Sequence, residues 1–153
     1  MVHLLGRFEE SANKYYSNYT DNEELFEHLP LRKMSKLTEN LLRSIDYSTV
    51  KKTREKNFTY LQEEFSDLNK LNVKFSNASF MYPLYLQDGW MIRKKLQEKQ
   101  LYIPTLWPDV FDLCQESELE YDMAKNILPV PCDQRYDLDT MKYIAKEVRT
   151  CLN

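Results

Sequence analysis

The sequence predicts an α+β fold: a helical lead-in over residues 1–48, then a unit over 49–153 in which a small, mostly antiparallel sheet is covered by helices, the whole forming one compact domain. Three observations carry this. Apolar residues recur at helical spacing as far as about residue 71, the pattern turns extended from Val73 onward, and the chain closes on a Pro-punctuated run that feeds an amphipathic helix. A length of 153 residues suits one core of ordinary size.

In the lead-in, Phe8, Ala12, Tyr15 and Tyr19 step by four, three and four, which predicts a helix over 7–20 with one apolar face. The three tyrosines of that stretch serve packing or, less commonly, ring stacking. The polar run after Tyr19 leads into 25–30, a turn or brief helix stopped by Pro30. Ser35 offers a cap to a second helix whose face is Leu37, Leu41, Leu42 and Ile45, and residues 46–48 interrupt it. A longer helix then spans about 49–71, with Val50, Phe58, Leu61, Phe65 and Leu68 on one side.

From Val73 the chain reads β-α-β-α-β-α. Phe75, Phe80, Tyr82, Leu84 and Leu86 favour extended structure, with Pro83 marking an edge or bulge. Asp88 and Gly89 turn into a helix carrying Met91, Ile92 and Leu96, and 101–107 returns as a strand. Ser117 and Glu120 have capping-box spacing before a short helix with Leu119 and Met123. Ile127, Leu128, Val130 and Cys132, interleaved with Pro129 and Pro131, form a buried or edge strand. Asp137 caps the last helix, Asp139 adds negative charge to its first turn, and Met141, Ile144, Ala145, Val148 and Leu152 make its inner stripe.

Composition removes several functions. Apolar content of 42% with 13% aromatics fits a globular protein, while two glycines in the chain leave no glycine-rich phosphate cradle. With 21 Lys plus Arg against 24 Asp plus Glu the net charge is −3, which predicts neither nucleic acid nor an anionic membrane as partner. The start of the chain lacks a signal-peptide pattern, and no stretch reaches the ~20 apolar residues of a membrane span. Cys114, Cys132 and Cys151 have no CxxC spacing, so reduced thiols and a cytoplasmic location are expected. On that basis the glycosylation patterns at Asn18, Asn57 and Asn77 are chance matches. His3 and His28 stand too far apart for a dyad or a metal centre, and no GxSxG, HExxH or P-loop spacing occurs.

One stretch says more. Residues 126–148 run from the Pro-punctuated strand through Asp-Gln-Arg-Tyr into the last helix, preceded in order by Arg54 and Asn57 opening a long helix, MYPLYL at 81–86, LYIPTLWP at 101–108 and SELE at 117–120. Over roughly 35–153 this order resembles the C-terminal small domain of the DegT-type sugar aminotransferases, fold-type-I enzymes that use pyridoxal phosphate (PLP). The resemblance implies a small-domain fold and, in the intact family, transfer of an amino group from a donor such as glutamate to a keto-sugar nucleotide. It also implies that the Schiff-base lysine, the partner of the pyridinium nitrogen and the phosphate loop belong to a large domain preceding the matched region. This chain alone is then expected to bind no PLP and to lack catalysis, its partner being that missing large domain or a homodimer mate. A stand-alone interaction domain that kept the fold and lost the chemistry is the alternative.

Three positions carry the expected substrate contacts: Arg135, Trp107 and Tyr82. A guanidinium at Arg135 suits a carboxylate or phosphate, and equally an ion pair with Asp133 or Asp137. Trp107 stands where many relatives carry His, which leaves a packing role equally open. Of Tyr82 and Tyr85, only one faces the core of a strand. Arg54 either reaches toward the large domain or a partner subunit, as the resemblance implies, or lays its stem over apolar surface.

Overall fold

The computed structural model describes residues 2–10, 14–27, 29–74 and 79–152, so Ala12, His28, Phe75, Asn77 and the side chain of His3 lie outside the described residues. The chain divides into two compact units, Met1–Ile45 and Asp46–Asn153.

The first unit holds α1 (Val2–Glu9), α2 (Tyr16–Glu27) and α3 (Lys36–Arg43). The single helix expected over 7–20 is instead two, because α1 ends at Glu9 and Tyr15 sits in a turn. A Cβ at Gly6 would run into the Tyr15 ring, so a larger residue there requires that side chain to swing away. Helix α2 absorbs Leu25 and Phe26. Ser35 caps α3 as its spacing predicts, accepting the Thr38 N–H at 3.1 Å. The face of that helix is nevertheless exposed, with Leu37 at 70% and Leu41 at 60%, and none of its residues is buried.

Phe8 is 91% exposed and Leu25 68%, and exposed apolar surface of this kind favours self-association. Light scattering over a concentration series is expected to show mass rising with concentration. A strict monomer throughout would contradict it.

The second unit contains α4 (Tyr47–Glu64), β1 (Met81–Tyr85), α5 (Gly89–Glu98), α6 (Val110–Leu113), α7 (Leu119–Asn126), β2 (Ile127–Pro131) and α8 (Leu138–Leu152). The strands pair antiparallel, Met81 opposite Pro131 through Tyr85 opposite Ile127. Flanking bonds from Cys132 N to Phe80 O (3.0 Å) and Leu86 N to Asn126 O (3.5 Å) fix the phase of the ladder. Pro83, Pro129 and Pro131 therefore occupy positions whose N–H would point off the ladder, and the prolines cost no inter-strand bond.

Three expectations are corrected here. Residues 101–107 form no strand: Pro104 removes a donor, and Gln100 (φ 63°) and Trp107 (φ 52°) turn the backbone left-handed at either end. The sheet accordingly has two strands, not three. The N-cap position of α7 is Glu118 rather than Ser117 and no side chain caps it; the Glu118 carboxylate instead accepts the Gln115 N–H at 2.9 Å, ahead of the helix. Helix α4 stops at Glu64, well short of residue 71, and starts at Tyr47 because Asp46 caps it through the Thr49 N–H at 3.0 Å.

The core joins Phe58, Leu61 and Phe65 of α4, Tyr82 and Leu84 of β1, Ile92 and Leu96 of α5, Leu128 and Val130 of β2, and Met141, Ala145, Val148 and Cys151 of α8. Tyr82 meets Phe58 edge-on at 5.1 Å. Among the described residues no helix is long and apolar enough to cross a membrane.

Candidate functional site at the DQRY turn

Strand β2 delivers residues 132–136 to the end of the sheet, and Asp137, accepting the Thr140 N–H at 2.8 Å, starts α8 immediately after. The turn between them is held from outside. Asn57, buried in α4, places its amide Nδ2 2.9 Å from the Tyr136 carbonyl, 3.2 Å from that of Asp133 and 3.4 Å from that of Cys132. One turn earlier, Arg54 donates from Nε to Gln134 Oε1 at 2.7 Å. Two residues three apart on one helix thus grip a turn some eighty positions away.

Inside the turn, Arg135 closes on Asp133. Its Nε and Nη2 each donate to one carboxylate oxygen at 2.8 Å, and its backbone N–H adds a third bond at 3.0 Å. Of the alternatives the sequence leaves open, the ion pair with Asp133 is the one formed. The two partners differ in exposure, the Asp133 side chain at 8% and Arg135 at 67%. Burial pushes the Asp133 carboxyl up, but the Arg135 bonds, with Arg54 nearby, outweigh it and bring the group below its ordinary value. The same carboxylate strengthens the Arg135 proton's hold. Beside them burial drives the Cys132 thiol up to about 12, so it stays protonated and unreactive at neutral pH. Arg135 also lies over the Tyr136 ring at 5.4 Å.

Arg135→Ala is expected to lower stability by about 1–3 kcal/mol, since Asp133 keeps its backbone donor and Arg54 but loses the fork. Because the folded Asp133 carboxyl titrates below its unfolded value, its stabilisation is complete above the ordinary carboxylate range, ~4, and fades as pH falls through the lowered folded value. Denaturant melts should therefore separate wild type and variant most near neutral pH and bring them together in strong acid. A gap that widened on acidification would exclude this pair as its cause.

The other expected contacts lie elsewhere. Tyr82 points into the core, 1% exposed, and its oxygen accepts from Asn69 Nδ2 at 2.9 Å. Tyr85 faces outward and donates to Asp122. Trp107 is 64% exposed at the end of the 101–107 segment. The three expected contacts thus occupy a core strand, a loop and the DQRY turn. Sequence reasoning missed Gln134 as the partner of Arg54, and it missed Arg93, whose guanidinium donates to the carbonyls of Ile127 (2.6 Å) and Lys125 (3.3 Å). No local signal marks either, because both partners arrive from distant segments.

Lys99 pairs with Glu147 at 2.6 Å, Lys142 with Asp139 at 2.7 Å, Lys95 donates to the Cys151 carbonyl at 2.7 Å, and Lys125 lies over the Trp90 ring. Each of these four lysines has a structural partner. Among the described residues no group of three His, Cys, Asp or Glu is placed to hold a metal ion. All three cysteines are free, Cys114 partly exposed and the other two buried. Asn57, one of the three glycosylation patterns, is 1% exposed. No protein-family model, curated protein or solved structure matches this chain.

Proposed function

We propose that residues 46–153 act as the small domain of a PLP-dependent aminotransferase of the keto-sugar nucleotide type, shaping the substrate mouth while the Schiff-base lysine is supplied by a large domain not contained in these 153 residues. One observation carries the reading: Arg54 and Asn57, singled out with the DQRY run by the sequence resemblance, converge on that run in space. Asp133 takes the Nε and Nη2 donors of Arg135 and fixes the guanidinium in place, so what the turn offers an anionic group is the remaining, exposed edge of that guanidinium. The residues of this chain position substrate in that reading and take no chemical step.

The test is to fuse the full chain behind the large domain of a sugar aminotransferase deprived of its own small domain. Recovered transamination of a keto-sugar nucleotide with glutamate is expected. A folded, PLP-loaded fusion that never turns over would sink the reading. The chain alone, treated with PLP and borohydride, is expected to give no specific lysine adduct by mass spectrometry.

A second reading, a stand-alone interaction domain, is favoured by the bare helix faces of residues 1–45, such as Phe8 and Leu37. Turnover by the fusion decides against it.

A further inference from the structure

Two bare segments of the first unit carry opposite charge. In α3, Leu37, Leu41, Leu42 and Ile45 recur at helical spacing on one side, and the helix buries none of its residues. The stretch leading into it, where Leu31 and Met34 are exposed, holds Arg32, Lys33 and Lys36 and no acid. Helix α2 is the converse. Tyr16, Leu25 and Phe26 are each more than half exposed, and the helix carries Asp21, Glu23 and Glu24 with no Lys or Arg. Tyr16, Tyr19 and Phe26 share one of its sides by spacing, and Glu23 falls between them. The ion pairs among the described residues of this unit, Lys14 with Glu10 and Arg43 with Glu39, involve none of these three acids or three bases.

One apolar face thus comes with cations and the other with acids, in the same chain. We propose that they are the two halves of an interface between copies of this protein: α2 of one copy receives residues 31–45 of the other, and the reverse, so that a two-fold axis relates two equal contacts. The acids precede the cations in sequence, so two copies running antiparallel make both contacts at once. Charge selects this occupant. An anionic membrane would attract residues 32–36 but repel Asp21, Glu23 and Glu24 close by in the chain, whereas a second copy accommodates both sets. The interface rests on residues 1–45 and not on the aminotransferase reading, and either stands if the other fails.

Sedimentation equilibrium of the full chain tests it by charge reversal. The wild type is expected to reach the mass of a dimer and stop there. Its dissociation constant should rise about tenfold between about 50 and 500 mM NaCl, because the facing charges are exposed and screened by salt. One variant carries Glu23→Lys with Glu24→Lys, the other Lys33→Glu with Lys36→Glu; all four sites are exposed, so both should fold. Each alone should dimerise at least about tenfold more weakly, since every reversal acts twice in a symmetric pair. Mixed in equal amounts, the two variants should form a heterodimer near wild-type strength, because reversed acids then meet reversed bases. A mixture no tighter than its components, wild-type association indifferent to salt, or mass growing past the dimer would each overturn the proposal. Phosphatidylserine vesicles are expected to leave the chain in the supernatant; capture abolished by Lys33→Glu with Lys36→Glu would give the basic face to a membrane instead.

Discussion

Gly89→Ala is expected to destabilise the second unit by about 3 kcal/mol, although alanine in a helix ordinarily gains ~1 kcal/mol over glycine. Gly89 opens α5 and is buried. A Cβ there would lie 2.1 Å from the Asn126 carbonyl oxygen and 2.8 Å from its carbon, so the obstacle is backbone, not a side chain able to swing away. Relief requires α5 to move off the α7–β2 corner. That corner matters, because the Asn126 carbonyl also receives the Leu86 N–H at the end of the ladder, and Asn126 Oδ1 receives the Trp90 N–H. Both tryptophans, Trp90 and Trp107, fall in this unit, so a urea melt followed by tryptophan fluorescence reports on it alone. An unchanged or raised midpoint would show that the corner yields to a methyl group.

Asn57→Ala is the second large effect expected, a loss of about 3 kcal/mol. The side chain is 1% exposed, and its amide serves the Asp133 and Tyr136 carbonyls and, at longer range, that of Cys132. Each buried polar group left without a partner costs about 1–3 kcal/mol. Asn57→Asp should be worse, since it aims a carboxylate at those carbonyl oxygens and removes the donors. Hydrogen exchange adds a readout of place: protection should fall first around 132–136 and less at the β1–β2 ladder. Uniform loss across the unit would mean that Asn57 supports the core in general, not the turn.

Elements with a strong local signature were legible in the sequence. The last helix follows its 3.6-residue period, with Asp137 at the cap and Met141, Ile144, Ala145 and Val148 buried, although Cys151 takes the inner place expected of Leu152. The Arg135–Asp133 pair was among the alternatives because two residues so close in the chain meet through local geometry. By contrast, 101–107 has the composition of a strand and no strand to pair with. Ile103 reaches the core from this irregular segment, while Tyr102 and Trp107 stay exposed.

By itself, then, the sequence determined the α+β class, the caps at Ser35 and Asp137, the Pro-punctuated strand and the apolar stripe of α8, all properties written in short-range spacing and steric preference. Only the tertiary structure decided that the sheet stops at two strands and that Tyr82, not Tyr85, turns inward onto Phe58 and Phe65. It alone brought Arg54 and Asn57 to the DQRY turn and showed that Gly89 is held by a carbonyl. Alternation along a strand gives two faces but not which one is covered, and a hydrogen bond across eighty residues leaves no periodic trace. Those choices are made when α4 packs against the sheet and α8, because burying Phe58, Leu61 and Phe65 fixes which neighbouring groups must meet.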